Sequence, residues 1–147
     1  MKRRQLLQIL GLIPPALLAA SCKEKLASTP TIVTGKVIDE NGLPLEGAGL
    51  DLAGIKWDFV TPTTTKGVTK ESDKDGFYEL SLIVPEGTDE LSLAPYSTKK
   101  VPLNIGVGDF IAYLYIDQVS TKMIAPYTIP RSDWGKTTTL NFQFKRR

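Results

Sequence analysis

Two strand-and-turn units, both within residues 31–82, place the tightest limit on the fold of this 147-residue chain. In the first unit, an alternating segment leads into Asn41-Gly42, and both residues of that pair tolerate a positive φ. In the second, a turn at residues 73–76 precedes a segment whose alternate residues are Tyr78, Leu80 and Leu82. A period of two is that of a strand with one buried face. The pattern therefore predicts antiparallel hairpins that share a core.

The same period continues through the rest of the chain. Three further sets of apolar residues alternate with other residues: Ala48, Leu50 and Leu52; Leu91 and Leu93; Leu140, Phe142 and Phe144. Thr61–Thr65 contains a proline and is predicted to be a loop or an edge strand, and residues 123–135, with two prolines, a long loop. Because no part of the body shows helical periodicity, we predict an all-β, antiparallel β-sandwich of about seven to nine strands.

The charge balance excludes a nucleic-acid partner. The formal net charge is +2, but Lys2, Arg3 and Arg4 lie in an N-terminal segment without acidic residues. Without these three, 15 of the 18 basic residues remain against 16 acidic ones, so the body carries about −1. Such a balance provides no basic field for a phosphate backbone.

Two residue counts restrict the chemistry of the chain. It contains no His, which removes the commonest metal ligand, the Ser-His and Cys-His catalytic arrangements and the usual acid/base near neutral pH. It contains one Cys, so no intramolecular disulfide can form and the fold must be held by packing. We predict a protein that is not an enzyme and has no cofactor.

Residues 1–21 have the composition of a removable export signal. A basic start is followed by an apolar stretch, residues 6–20, that Pro14-Pro15 interrupts. Such a stretch is shorter than the ~20 apolar residues that a membrane-spanning helix needs. Arg3 and Arg4, followed after one residue by two leucines, resemble a twin-arginine export signal. A plain basic segment that holds two arginines is the alternative.

Cys22 is the predicted site of lipid attachment. Residues 17–22 resemble a bacterial lipobox, although Ala19 stands where Leu is more usual, and the single Cys of the chain falls at the modified position. A diacylglyceryl group supplies two acyl chains, which are enough for stable membrane anchoring. We therefore expect a lipoprotein of the cell envelope, with residues 22–30 as a polar tether. The periplasmic and surface faces of the outer membrane remain alternatives.

Three short motifs carry a family resemblance. Gly35-x-Val37, Gly42-x-Pro44-Leu45-x-Gly47-Ala48 and Asp75-Gly76-x-Tyr78-x-Leu80 resemble the carboxypeptidase regulatory-like domain. The resemblance implies a transthyretin-like (prealbumin-like) sandwich, common in envelope proteins of Bacteroidetes, over residues 31–147 with a C-terminal extension from about residue 106. Intradiol dioxygenases share this sandwich, but their iron site needs two His and cannot be built here.

Acidic residues near the second turn form a weak metal candidate. Glu71, Asp73 and Asp75 supply clustered carboxylates next to a Gly, as calcium loops do. Such loops need six or more oxygens, whereas the later ligand positions hold Tyr78 and Leu80. The turn of the family pattern explains the same residues without a metal.

Four aromatic residues outside the clean alternating strands allow two interpretations. Trp57, Phe59, Tyr96 and Trp134 lie in or beside predicted loops. They either cap the ends of the core or form a platform for sugar rings or a protein partner.

The sequence as a whole favours a non-catalytic, lipid-anchored binding or assembly module. Its expected partners are the membrane and an envelope protein or a glycan. The alternatives are a small accessory enzyme or metal-binding protein that uses carboxylates alone, and a structural spacer in a membrane complex. Exposed sheet edges would also allow a partner strand to pair.

Overall fold

A computed structural model describes residue 26, residues 28–104 and residues 106–147 of the chain. Arg3, Arg4, Cys22 and the remainder of the predicted export signal lie outside these residues. Within the described part, no helix is long and apolar enough to cross a membrane.

Ten strands account for most of the described chain. They are β1 (Thr31–Ile38), β2 (Gly49–Asp58), β3 (Thr61–Glu71), β4 (Phe77–Leu82), β5 (Glu90–Tyr96), β6 (Phe110–Ile116), β7 (Val119–Lys122), β8 (Tyr127–Ile129), β9 (Thr137–Thr139) and β10 (Asn141–Arg146). A single 3-10 turn at Arg131–Asp133 is the helical element among the described residues. The all-β prediction is confirmed, with more strands than the seven to nine expected.

The strands form two sheets. One has the order β4-β1-β10-β6-β7, with β9 also paired to β1, and the other has the order β3-β2-β5-β8. Most neighbours are antiparallel, but β1 pairs in parallel with both β9 and β10. The predicted sandwich is therefore confirmed, and its larger sheet is mixed rather than purely antiparallel.

One buried cluster, drawn from both sheets, forms the core. The alternating residues predicted from β1, β2, β4, β5 and β10 are all members: Val33, Val37, Leu50, Leu52, Tyr78, Leu80, Leu82, Leu91, Leu93, Phe142 and Phe144. The period of two thus identified the inward face of each strand correctly.

One segment predicted as a loop contains a strand, and one predicted as a loop or an edge strand is an edge strand. Residues 123–135 include β8, whose three residues pair with β5 at the edge of the smaller sheet. Thr61–Thr65 belongs to β3, the opposite edge of that sheet. Pro126 and Pro130 flank β8, and Pro62 lies within β3. Edge strands tolerate proline because one side of their backbone has no partner strand.

The C-terminal segment is an integral part of the sandwich. Residues from 106 onward were expected to extend beyond the family pattern, yet β10 lies between β1 and β6 in the larger sheet. It contributes Phe142 and Phe144, which are fully buried.

Tyr78 couples the stability of this core to alkaline pH. Its hydroxyl donates a hydrogen bond to the Leu140 carbonyl at 2.7 Å, and burial raises the pKa of the phenol above its usual range. The unfolded chain releases this proton near pH 10 while the folded chain retains it. Folding therefore becomes less favourable as pH rises above about 10, by about 1.4 kcal/mol per pH unit at most.

We expect urea unfolding of Tyr78→Phe to show a smaller loss of unfolding free energy above about pH 10 than the wild type shows. Near pH 8 the Tyr78 phenol keeps its proton in both the folded and the unfolded wild type, and Phe has no proton to lose. The difference there therefore isolates the lost hydrogen bond, about 1 kcal/mol. Equal alkaline slopes in the two proteins would contradict the prediction.

Candidate functional site

The four aromatic candidates do not form one surface. Trp134 is buried, its indole N–H donates to the Ile129 carbonyl at 3.2 Å, and the Arg131 guanidinium lies 5.0 Å from its ring centre. Tyr96 pairs with Gly49 at the start of β2, whereas Trp57 lies near the other end of that strand. Trp134 thus caps the core, and a shared platform of all four residues is not present.

Three exposed apolar side chains, Trp57, Phe59 and Val60, lie where β2 turns into β3. Asp58 pairs with Thr61, which leaves Phe59 and Val60 as the two turn residues. The relative accessible surface is 46% for Trp57, 103% for Phe59 and 88% for Val60. We call residues 57–60 the β2–β3 tip. Contiguous apolar exposure of this kind is typical of interaction sites rather than of ordinary surface.

Carboxylates from β5 and the residue before it hold the base of the tip. The Trp57 backbone N–H donates to Asp89 Oδ2 at 2.8 Å, and its indole N–H donates to Glu90 Oε2 at 3.2 Å. The other Glu90 oxygen accepts the Thr128 hydroxyl of β8 at 2.6 Å. The tip is therefore braced by two neighbouring strands of its own sheet.

Phe59 occupies an unfavourable backbone conformation. Its φ is 58°, in the left-handed region that a non-glycine residue enters at a cost of about 1–2 kcal/mol. Two-residue hairpin turns usually place Gly or Asn at such positions. The ring of Phe59 does not pack against the core, so packing does not explain why an aromatic residue stands at this position. Strain of this kind is often retained at functional positions.

The tip lies at the same end of the sandwich as the first residue of β1. The Gly135 N–H donates to the Thr31 hydroxyl at 2.8 Å. From the same segment, the Arg131 guanidinium donates to the Asp89 carbonyl at 3.3 Å, and the Asp89 carboxylate accepts the Trp57 N–H. These hydrogen bonds, together with the backbone of residues 131–135, thus link Thr31 to the tip. We call this side the N-terminal end.

Two of the three acidic candidates, Asp73 and Asp75, lie in a turn that hydrogen bonds to the Asp73 carboxylate hold together. Asp73 Oδ1 accepts the backbone N–H groups of Asp75 and Phe77, both at 2.9 Å. The first turn has the same design, since Asp39 Oδ1 accepts the N–H groups two and four residues later, at 2.8 and 2.9 Å. Among the described residues, no group of three or more acidic, His or Cys side chains could hold a metal, and Glu71 lies exposed at the end of β3. The shared design accounts for Asp73 as a structural residue.

We expect Asp73→Ala to lower the unfolding free energy by about 1–2 kcal/mol, because two backbone donors lose their acceptor. Asp75→Ala should change it little, since Asp75 enters the turn through its backbone N–H. Thermal unfolding with and without calcium chloride provides the test. A calcium-dependent rise in melting temperature that both substitutions abolish would instead show a metal site.

Comparisons with known proteins give fold-level similarity alone. No family model matches the chain. No curated protein matches it either. Among solved structures, BcpA, the major pilin subunit of Bacillus cereus, is 21% identical over 81% of this chain and 31% of its own length, with a TM-score of 0.44.

Two further structures are similar at the same level. The 3-chlorocatechol 1,2-dioxygenase of Rhodococcus opacus 1CP is 14% identical over 85% of this chain and 62% of its own, with a TM-score of 0.43. The major plantain pollen allergen Pla l 1 is 14% identical over 81% of this chain and 95% of its own length, with a TM-score of 0.43. The chain thus spans about a third of the pilin and under two thirds of the dioxygenase. We infer no function from similarities of this size.

Proposed function

We propose that this protein is a non-catalytic binding and assembly module of the cell envelope, anchored by a lipid on Cys22, with a sandwich of the carboxypeptidase regulatory-like kind. The β2–β3 tip is its contact element. The observation that carries the proposal is the exposure of Trp57, Phe59 and Val60 on a braced turn.

The chemistry of the tip suits recognition. Trp and Phe provide large apolar contact area with few rotatable bonds, which is why aromatic residues are enriched in binding hot spots. The hydrogen bonds from Trp57 to Asp89 and Glu90 fix the base of the tip before any partner arrives. A contact element that is already ordered loses less entropy on binding.

The carboxylates near the two turns and the tip support a non-catalytic role. Asp39 and Asp73 accept turn N–H groups, and Asp89 and Glu90 hold Trp57. Each of these side chains therefore has a structural partner. The chain also lacks His, the residue most often used for proton transfer near neutral pH.

The resemblance of residues 1–22 to an export signal that ends in a lipobox supports the envelope location. Eight residues separate Cys22 from Thr31, so a lipid at Cys22 would hold the sandwich close to a membrane. An envelope protein or a glycan facing that membrane is within reach of the tip.

Site-specific photo-cross-linking in cells tests the contact element. A benzophenone amino acid replaces Phe59 in the full chain, and a matched protein carries it at Val107, which is equally exposed in a loop at the opposite end. We expect an adduct that forms from position 59 alone and is lost when Cys22→Ala prevents lipidation. No adduct from position 59, or the same adducts from both positions, would contradict the proposal.

A further inference from the structure

We propose that the β2–β3 tip rests in the interface of the lipid bilayer that holds the Cys22 lipid, and so forms a second, non-covalent membrane contact. This inference rests on the proposed anchor and names the partner of the proposed contact element. Three observations support it: the position of the tip, its side chains and the charge around it.

The position follows from the N-terminal end. Thr31 and the tip lie on the same side of the sandwich, joined through Gly135, Arg131 and Asp89. Eight residues precede Thr31 after Cys22, and at about 3.3–3.6 Å per residue they span at most about 29 Å. The lipid therefore keeps this end of the sandwich, rather than the opposite one, near the bilayer.

The β2–β3 hairpin also extends beyond its pairing with β5. The last β2 residue paired with β5 is Ile55, opposite Glu90, and β2 continues to Asp58. Three further residues of strand extend about 10 Å. When the N-terminal end faces a bilayer, the tip therefore reaches the lipid before the rest of that end does.

The side chains suit the boundary between headgroups and acyl chains. Trp is enriched at that boundary because its ring is amphipathic, and Trp57 keeps its N–H bonded to Glu90 while part of its ring is exposed. Phe59 and Val60 offer apolar groups that can enter the outer acyl region. The Phe59 side chain is fully exposed, so no neighbouring group covers it.

The surrounding charge specifies which lipid surface fits. Asp58, Asp89 and Glu90 lie at or beside the tip, together with Lys56, whose amine is 3.4 Å from Asp58. Arg131, whose guanidinium donates to the Asp89 carbonyl, is a second basic group here. The three acidic groups still outnumber the two basic ones, and an anionic surface repels them. Zwitterionic headgroups therefore suit the tip better than anionic ones. A weak insertion is sufficient, because the tether makes it an intramolecular event.

Fluorescence of the two tryptophans reports the contact. The full, lipidated protein is reconstituted into phosphatidylcholine vesicles with or without brominated acyl chains, which quench a nearby indole. We expect quenching in the wild type and its loss in Trp57→Phe, which retains only the buried Trp134. Phe59→Asp should also lose most of the quenching while it remains vesicle-bound through its lipid.

Phe59→Asn separates binding from folding. Asn tolerates the left-handed conformation, so this variant should fold at least as stably as the wild type and still lose quenching. Retention of full quenching in Phe59→Asn would overturn the inference. Stronger quenching in vesicles that contain anionic phosphatidylglycerol would also overturn it, because binding would then depend on basic residues.

Mass spectrometry of the mature N-terminus shows whether Cys22 is lipidated, and so tests the anchor separately from the membrane contact of the tip. A lipidated protein without Trp57 quenching overturns the membrane contact and leaves the anchor intact. An unlipidated protein whose Trp57 is quenched by added vesicles overturns the anchor and supports the contact. A protein or glycan adduct at position 59, without lipid quenching, shows that the tip binds that partner and overturns the inference.

Discussion

Phe142→Ala should lower the free energy of unfolding by about 3–5 kcal/mol, the largest effect that we expect from a single substitution in this chain. The side chain is fully buried, and its ring centre lies 6.1 Å from that of Tyr78. The backbone of Phe142 pairs with Val37 on one side and Leu114 on the other. Neighbours held by two strands cannot collapse into the space that the ring vacates, so a cavity remains.

Urea unfolding followed by the fluorescence of buried Trp134 measures the loss. Phe77→Ala is the matched control, because the same side chain lies half-exposed on β4 at the edge of the sheet. We expect the control to lose about 1 kcal/mol. Losses of equal size would show that β10 is an appendage rather than part of the core.

The C-terminal strand β10 also shows that the alternation of apolar residues predicts the buried face of a strand but not its neighbours in the sheet. A period of two predicted that Phe142 and Phe144 face inward, and both are buried. It could not predict the neighbours of β10, because pairing depends on contacts between residues far apart in the chain. Lys36 donates its N–H to Asn141 Oδ1, 105 residues later, beside the parallel ladder of β1 and β10. The family resemblance assigned the residues from about 106 onward to an extension, so it did not predict that β10 lies inside the larger sheet.

The two turns were predictable because their chemistry is local. Asn41-Gly42 and Asp75-Gly76 place Gly at φ values of 80° and 74°. An Asp three residues before each Gly accepts the turn N–H groups. Residues within one turn determine both features, so no distant contact has to be known.

The candidate site was predictable only in part. Exposed Trp57 and Phe59 were among the aromatic residues singled out, but Trp134, in the same set, turns into the core after the 3-10 turn. A residue beside a loop can face either way, and only the packing decides. Val60 was missed, and so was the positive φ of Phe59, because a two-residue turn without Gly or Asn lacks the usual sequence signal.

Gly35→Ala should lower the unfolding free energy by about 3 kcal/mol, since the added methyl group would overlap backbone rather than a movable side chain. A Cβ at this position overlaps the carbonyl oxygen of Leu140, where the chain passes from β9 to β10 beside β1. That carbonyl also accepts the Tyr78 hydroxyl, and the Leu140 N–H donates to the Thr34 carbonyl at 2.9 Å. Displacing Leu140 therefore disturbs both bonds along with the close approach.

Gly67→Ala is the matched control on a different strand. The nearest atom to a Cβ at Gly67 lies 3.5 Å away, in ordinary contact, and the residue is exposed on edge strand β3. Because Ala restricts the unfolded chain, this change should leave the unfolding free energy unchanged or raise it by about 0.4–1 kcal/mol. Urea unfolding of the two variants distinguishes the causes. If both lost stability equally, a general effect of Gly on strand geometry would explain the result. A large loss confined to Gly35→Ala would show that the glycine of the Gly35-x-Val37 pattern is needed for the close approach of the C-terminal segment to β1.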